Sequence, residues 1–156
     1  MKKLISLVFI LSISATTFVC AQGKKSQKDM FESTYQNSKE LVSSKKFVYQ
    51  GDLVLGEGTR ESLTENNQLK IDGAEVSGNI SAPTSENKTI NLEGDIEDYS
   101  VNFKDQIQQI SINFNANTDS GLVSVNIEVK PNGKAFLTLT KEDDTTVKWT
   151  GSLNNL

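Results

Sequence analysis

Histidine is absent from this chain of 156 residues, and cysteine occurs once, at position 20. Their scarcity removes whole classes of chemistry. A Ser-His-Asp triad and a Cys-His dyad both need the missing imidazole. The usual zinc sites, haem ligation and iron–sulfur clusters need histidine or several thiolates. Cofactors and metals are therefore not expected. Basic charge is also in the minority, 16 Lys and Arg against 20 Asp and Glu, for a net charge of −4. An acidic chain is a poor general binder of nucleic acid. Internal repeats and low-complexity stretches are lacking too. The length suits one domain with a real core and is too short for two.

The first 21 residues have the layout of a secretory signal. Met1-Lys2-Lys3 is a short positive start, and Leu4 to Val19 is apolar. That run is short for a membrane span, which takes about 20 residues, and it suits a removable leader. Two processing outcomes compete. In one, Val19-Cys20-Ala21 is the small-residue motif, with cleavage between Ala21 and Gln22. In the other, Cys20 becomes the lipid-modified first residue of an outer-membrane lipoprotein, although Phe18 and Val19 are bulky for that role. Either way the protein is expected to be exported, periplasmic or secreted, with no disulfide in the mature domain.

Residues 22–46 form a basic segment with six lysines against Asp29, Glu32 and Glu40. Met30, Phe31, Thr34, Tyr35, Ser38, Leu41 and Val42 recur at steps of three and four, which predicts an amphipathic helix from Gln27 to Ser43. Ser26 and Asp29 are spaced as a capping box. This helix either docks on its own acidic domain or lies on an anionic membrane surface. Membrane contact is expected only through that surface or through a lipidated Cys20.

From residue 47 to 156 the apolar period is two. Phe47, Tyr49, Gly51, Leu53 and Leu55 alternate with mostly polar neighbours. So do Leu69 and Ile71, then Val76, Gly78 and Ile80 after the turn Asp72-Gly73. Ile90 to Ile96 follow, then a turn at Glu97-Asp98 into Tyr99, Val101 and Phe103. Ile110 to Ala116, Val123 to Val129, Ala135 to Leu139 and Val147 to Gly151 complete the series. Lys130-Pro131-Asn132-Gly133 and Glu142-Asp143-Asp144 read as hairpin turns. Gly56 to Gln68 and Ser81 to Thr89 read as polar loops. Eight or nine short strands with short connections require antiparallel pairing. The predicted fold is all-β with one N-terminal α-helix: an antiparallel meander closing into a lipocalin-like up-and-down barrel of about eight strands, with a β-sandwich as the alternative. Val48, Val54 and Phe136 interrupt the polar outer face and suggest a patch for Met30, Phe31 and Tyr35.

Several stretches carry the residues of a known family in order. They are Ser44-Lys45-Lys46-Phe47, Leu69-Lys70-Ile71-Asp72-Gly73, Leu92 to Val101, Pro131-Asn132-Gly133-Lys134-Ala135, and Trp149-Thr150-Gly151-Ser152-Leu153. Over Ser44 to Leu153 the chain resembles a bacterial family of small exported proteins, domain-of-unknown-function family 4251. The resemblance implies an exported β-domain and supplies no activity. Members usually carry a longer Gly-, Tyr- and Pro-rich segment where this chain has the short polar stretch Ser81 to Lys88.

Carboxylates are the abundant catalytic groups that remain. Glu93, Asp95 and Glu97 alternate on one strand face, about 7 Å apart. They read as a solvated face, because acid–base work needs burial to tune a pKa. Glu142-Asp143-Asp144 with Thr145 is oxygen-rich but lacks a calcium-loop pattern, and Asn117 to Gly121 reads as a turn. Trp149 and Tyr49 read as core side chains before they read as a stacking platform, with Gly151 leaving room for the indole. Gly56-Glu57-Gly58 lacks the lysine and helix of a phosphate loop. Asn79-Ile80-Ser81 and Asn87-Lys88-Thr89 match a glycosylation pattern by chance. The expected protein has no enzymatic activity. It binds a small apolar or amphipathic ligand inside the barrel, or it serves as a cell-envelope interaction module. A closed cavity above about 300 Å³ separates the two.

Overall fold

The computed structural model describes residues 26–156 apart from 57, 65, 84–88 and 120. The signal, its cleavage point at Ala21 and Gln22, and Cys20 lie outside the described residues. Helix α1 spans Gln27–Ser44. Its start is fixed by the capping box, in which Asp29 N–H donates to Ser26 Oγ and Ser26 N–H donates to Asp29 Oδ2. It stops at Lys45, whose left-handed backbone (φ 53°) turns the chain straight into the first strand.

The strands are β1 (Lys46–Leu55), β2 (Arg60–Ser62), β3 (Gln68–Asp72), β4 (Glu75–Ser81), β5 (Thr89–Lys104), β6 (Gln109–Thr118), β7 (Gly121–Val129), β8 (Lys134–Lys141) and β9 (Thr146–Asn155). All pairings are antiparallel, and each of β3 to β8 pairs with the next. Strand β1 pairs with β9 on one side. Its other edge is shared, with β3 along Lys46–Gln50 and β2 along Leu53–Leu55. Eight strands thus close a ring, and β2 is a short patch on it. The expected up-and-down barrel is the observed one, rather than a sandwich.

Period-two patterning explains the core. Phe47, Tyr49, Leu69, Ile71, Leu92, Ile110, Ile112, Ile127, Leu137, Leu139 and Trp149 are all at most 1% exposed and belong to one hydrophobic cluster. Helix α1 adds Tyr35 and Val42 to that cluster. It crosses the barrel end formed by the start of β1, the end of β9 and the β5–β6 hairpin. At this end Tyr99 Oη donates to Val42 O over 2.9 Å. The basic helix therefore docks on its own domain.

Two irregularities reset the alternation. A shift between Gly51 and Leu53 in the β1–β9 ladder turns Val54 inward, where it is 1% exposed. Val54 is therefore no part of an outer patch. The second is a bulge between Glu97 and Ser100 in the β5–β6 ladder, with Asp98 left-handed at φ 55°. Glu97-Asp98 is not a turn between two strands. It is a kink inside one strand of 16 residues. A bulge adds an unpaired residue and twist without ending the strand.

Candidate functional site

Large side chains line the barrel interior. Trp149, Tyr49 and Phe47 are fully buried there, among the largest such side chains in the protein. Trp149 Nε1 donates to Ser81 O over 2.7 Å, which ties β9 to the end of β4. The space beside Gly151 is bounded first by the Gln50 carbonyl and then by the Tyr49 ring, whose Cζ would lie 3.0 Å from a Cβ there. The Tyr49 hydroxyl is buried without a hydrogen-bond partner among the described residues. Burial pushes its pKa far up, with the nearby charge of Asp52 adding to the shift and the Leu137 backbone opposing it. At the end away from α1, Asn67 is 3% exposed and forms a polar plug. Its side-chain amide donates to Thr64 O over 2.9 Å and accepts from Ser81 N–H over 2.6 Å. Alternation offered no sign of this plug, because Asn67 sits in a segment read as a loop.

The outer surface offers a different kind of site. Phe31 on α1, Pro131 and Asn132 in the β7–β8 turn, and Phe136 on β8 line an open cleft of about 340 Å³ with the stems of Lys130 and Lys134. The sequence builds it locally. The helix cap places Phe31 one turn in. The turn closes with Gly133 N–H donating to Lys130 O over 2.9 Å, and Lys130 N–H to Lys134 O over 2.8 Å. Gly133 takes φ 80°, a left-handed angle that favours glycine. Phe136 faces outward between Glu128 and Thr150 and is 36% exposed. Lys130 Nζ lies 5.9 Å from the Phe136 ring centre and 2.6 Å from Glu128 Oε2. Lys134 Nζ lies 2.8 Å from Asp52 Oδ2. Both cations are thus committed to acids, so the cleft presents their aliphatic stems and two aromatic faces rather than positive charge.

The predicted docking patch therefore splits. Of the helix trio, Phe31 shares the cleft with Phe136. Tyr35 is buried and donates its hydroxyl to Asp105 Oδ1 over 2.9 Å, in the β5–β6 turn. Desolvation first, then that hydrogen bond, raise the Tyr35 pKa to about 12. Lys39 donates to the same oxygen over 2.9 Å. Its contact, followed by that of Tyr35, holds the Asp105 carboxyl below the usual range. Met30 stays 50% exposed.

The other sequence candidates are scattered. Glu93, Asp95 and Glu97 are exposed on the outer face of β5, with Glu75 directly across from Asp95. Glu142 Oε1 accepts from Leu122 N–H and Asp143 Oδ1 from Thr145 N–H, so the turn acids point to separate partners. The Thr145 bonds lower the Asp143 pKa. Thr118 Oγ1 donates to Gly121 O across the β6–β7 turn, whose Ser120 lies outside the described residues, as do Glu57 and Asn87. Asn79 is exposed on β4. Among the described residues no group of three His, Cys, Asp or Glu side chains is placed to hold a metal ion. No helix among them is long and apolar enough to cross a membrane.

Comparison with known proteins matches this architecture. The crystal structure of a DUF4251 family protein from Bacteroides eggerthii DSM 20697 is similar to it, with a TM-score of 0.64 at 16% identity, covering 79% of this chain and 88% of that one. At that identity the likeness speaks for the fold. No curated protein matches the chain. The family model described as Domain of unknown function (DUF4251) matches residues 30–153, from the first turn of α1 to the end of β9. The chain belongs to the DUF4251 family.

Proposed function

We propose that this domain is a non-enzymatic interaction module of the cell envelope, and that it holds an apolar side chain of a partner protein in the cleft between α1 and the β7–β8 turn. The carrying observation is where the apolar surface lies. Large buried side chains such as Trp149, Tyr49 and Phe47 occupy the barrel interior, which weighs against a small ligand there. An aromatic cleft remains on the outside, lined by Phe31, Pro131 and Phe136. Interfaces centre on such aromatic pockets, and a neutralised lysine rim excludes water without favouring a charged guest. Placement in the envelope rests on the signal-like residues 1–21.

A photo-crosslinking residue at position 136, compared with one at Lys148 on an exposed part of β9, tests the reading in cells. A discrete protein adduct at 136, absent at 148 and lost with Phe31→Ser, supports it. Equal labelling at both positions overturns it. Native mass spectrometry of protein taken from cells adds a second arm. A co-purifying apolar small molecule retained by the barrel returns the choice to ligand binding.

A further inference from the structure

Strand β5 is longer than either neighbour can cover. It pairs with β4 along Thr89–Asp95 and with β6 along Gly94–Lys104. Beyond the contact of Ile96 N–H with Ala74 O over 2.7 Å, the edge from Glu97 to Lys104 that faces away from β6 has no strand beside it among the described residues. Helix α1 does not supply one. It packs on the inward side chains of this segment, with Tyr99 bonded to Val42 O and Lys39 Nζ 5.0 Å from the Phe103 ring. Ser100, Asn102 and Lys104 point outward and are exposed.

A strand directs alternate N–H and C=O groups to each edge, so this segment presents a template for one more antiparallel strand. Its charge order selects the occupant. Acids stand at one end, Glu97 and Asp98, and a lysine at the other, Lys104. The sequence is complementary to itself read backwards. Antiparallel pairing centred on Val101 sets Ser100 of each copy against Asn102 of the other and brings Lys104 to the other copy's bulge, where Glu97 and Asp98 are exposed and Asp98 also accepts from Asn115 Nδ2 over 3.3 Å. Parallel pairing sets like against like.

We propose that the free edge of β5, Glu97 to Lys104, pairs with the same edge of a second copy of this chain across a twofold axis. The contact joins two barrels into one continuous sheet and is separate from the Phe31–Phe136 cleft. It is short, so the dimer is weak and concentration-dependent.

Sedimentation equilibrium of the protein as its host cell delivers it reads this directly. The expected mass rises from one chain to two between about 1 and 200 µM. Lys104→Glu sets acid against acid and is expected to weaken association at least about tenfold. The double variant Asp98→Lys with Lys104→Glu reverses both partners and is expected to restore it. Lys104 is exposed at the end of its strand, and a far-ultraviolet circular dichroism spectrum confirms that each variant is folded. A single-chain mass across the whole range overturns the proposal, with the bulge and Lys104 then acting as guards of the edge. A dimer indifferent to both variants overturns it as well.

Discussion

Tyr49 carries a hydroxyl into the core that no described neighbour satisfies, while Trp149 brings an N–H that reaches Ser81 O. A buried unpaired polar group costs about 1–3 kcal/mol, and removing it recovers part of that cost. Tyr49→Phe is thus expected to leave stability unchanged or raise it by about 1 kcal/mol, read from urea denaturation. Trp149→Phe loses the hydrogen bond and opens space, so about 2–4 kcal/mol is lost by the same assay. The Tyr35–Asp105–Lys39 group supplies a pH signature. Tyr35 and Tyr99 both titrate at about 12 in the fold, above an unfolded value of about 10. Their contribution is intact below about pH 10 and is lost as pH rises towards 12. Asp105 is shifted down, so its contribution holds above about pH 4 and is lost as pH falls through its folded value. Urea midpoints measured across pH should fall at both ends. Tyr35→Phe should lessen the alkaline fall, and Asp105→Asn the acid one.

At the scale of elements, closing the ring requires backbones to touch. Gly151 on β9 sits across from Gly51 on β1, and an added Cβ would overlap the Gln50 carbonyl oxygen. Gly151→Ala is therefore expected to cost more than about 3 kcal/mol or to prevent folding, measured by denaturation and soluble yield. Ser26→Ala removes one cap bond from α1 and should cost only about 1 kcal/mol. Element type was plain in the sequence wherever one face alternates cleanly, as in Val123 to Val129. The helix was plain from its three-four spacing and its cap. What escaped were departures from period. Val54 reads as outward until one extra residue at Gly51–Leu53 reverses its side. Asp98 reads as a turn because aspartate tolerates left-handed backbone, which a bulge uses equally well. Strand β2, Arg60–Ser62, is polar and three residues long, with no periodic signal at all. The cleft was half legible. Phe136 stood out as an apolar residue on a polar face, but its sharing a cleft with Phe31 depends on how the helix crosses the barrel end.

The whole molecule shares one core, because Tyr35 and Val42 of α1 lie in the same cluster as Phe47 and Trp149. Helix and barrel should then unfold together. Trp149 fluorescence and circular dichroism in the far ultraviolet should give coincident transitions, and Val42→Asp should lower both. The ring closes only when residues 46–55 meet residues 146–155. These are the first and last strands among the described residues, so the barrel closes only after every strand between them has been made. A chain that stops before residue 146 leaves one edge of β1 and one edge of β8 without β9, whatever hairpins it has already formed. Closing the ring is thus the last pairing the described strands can make, and a chain interrupted before Thr146 keeps an open sheet.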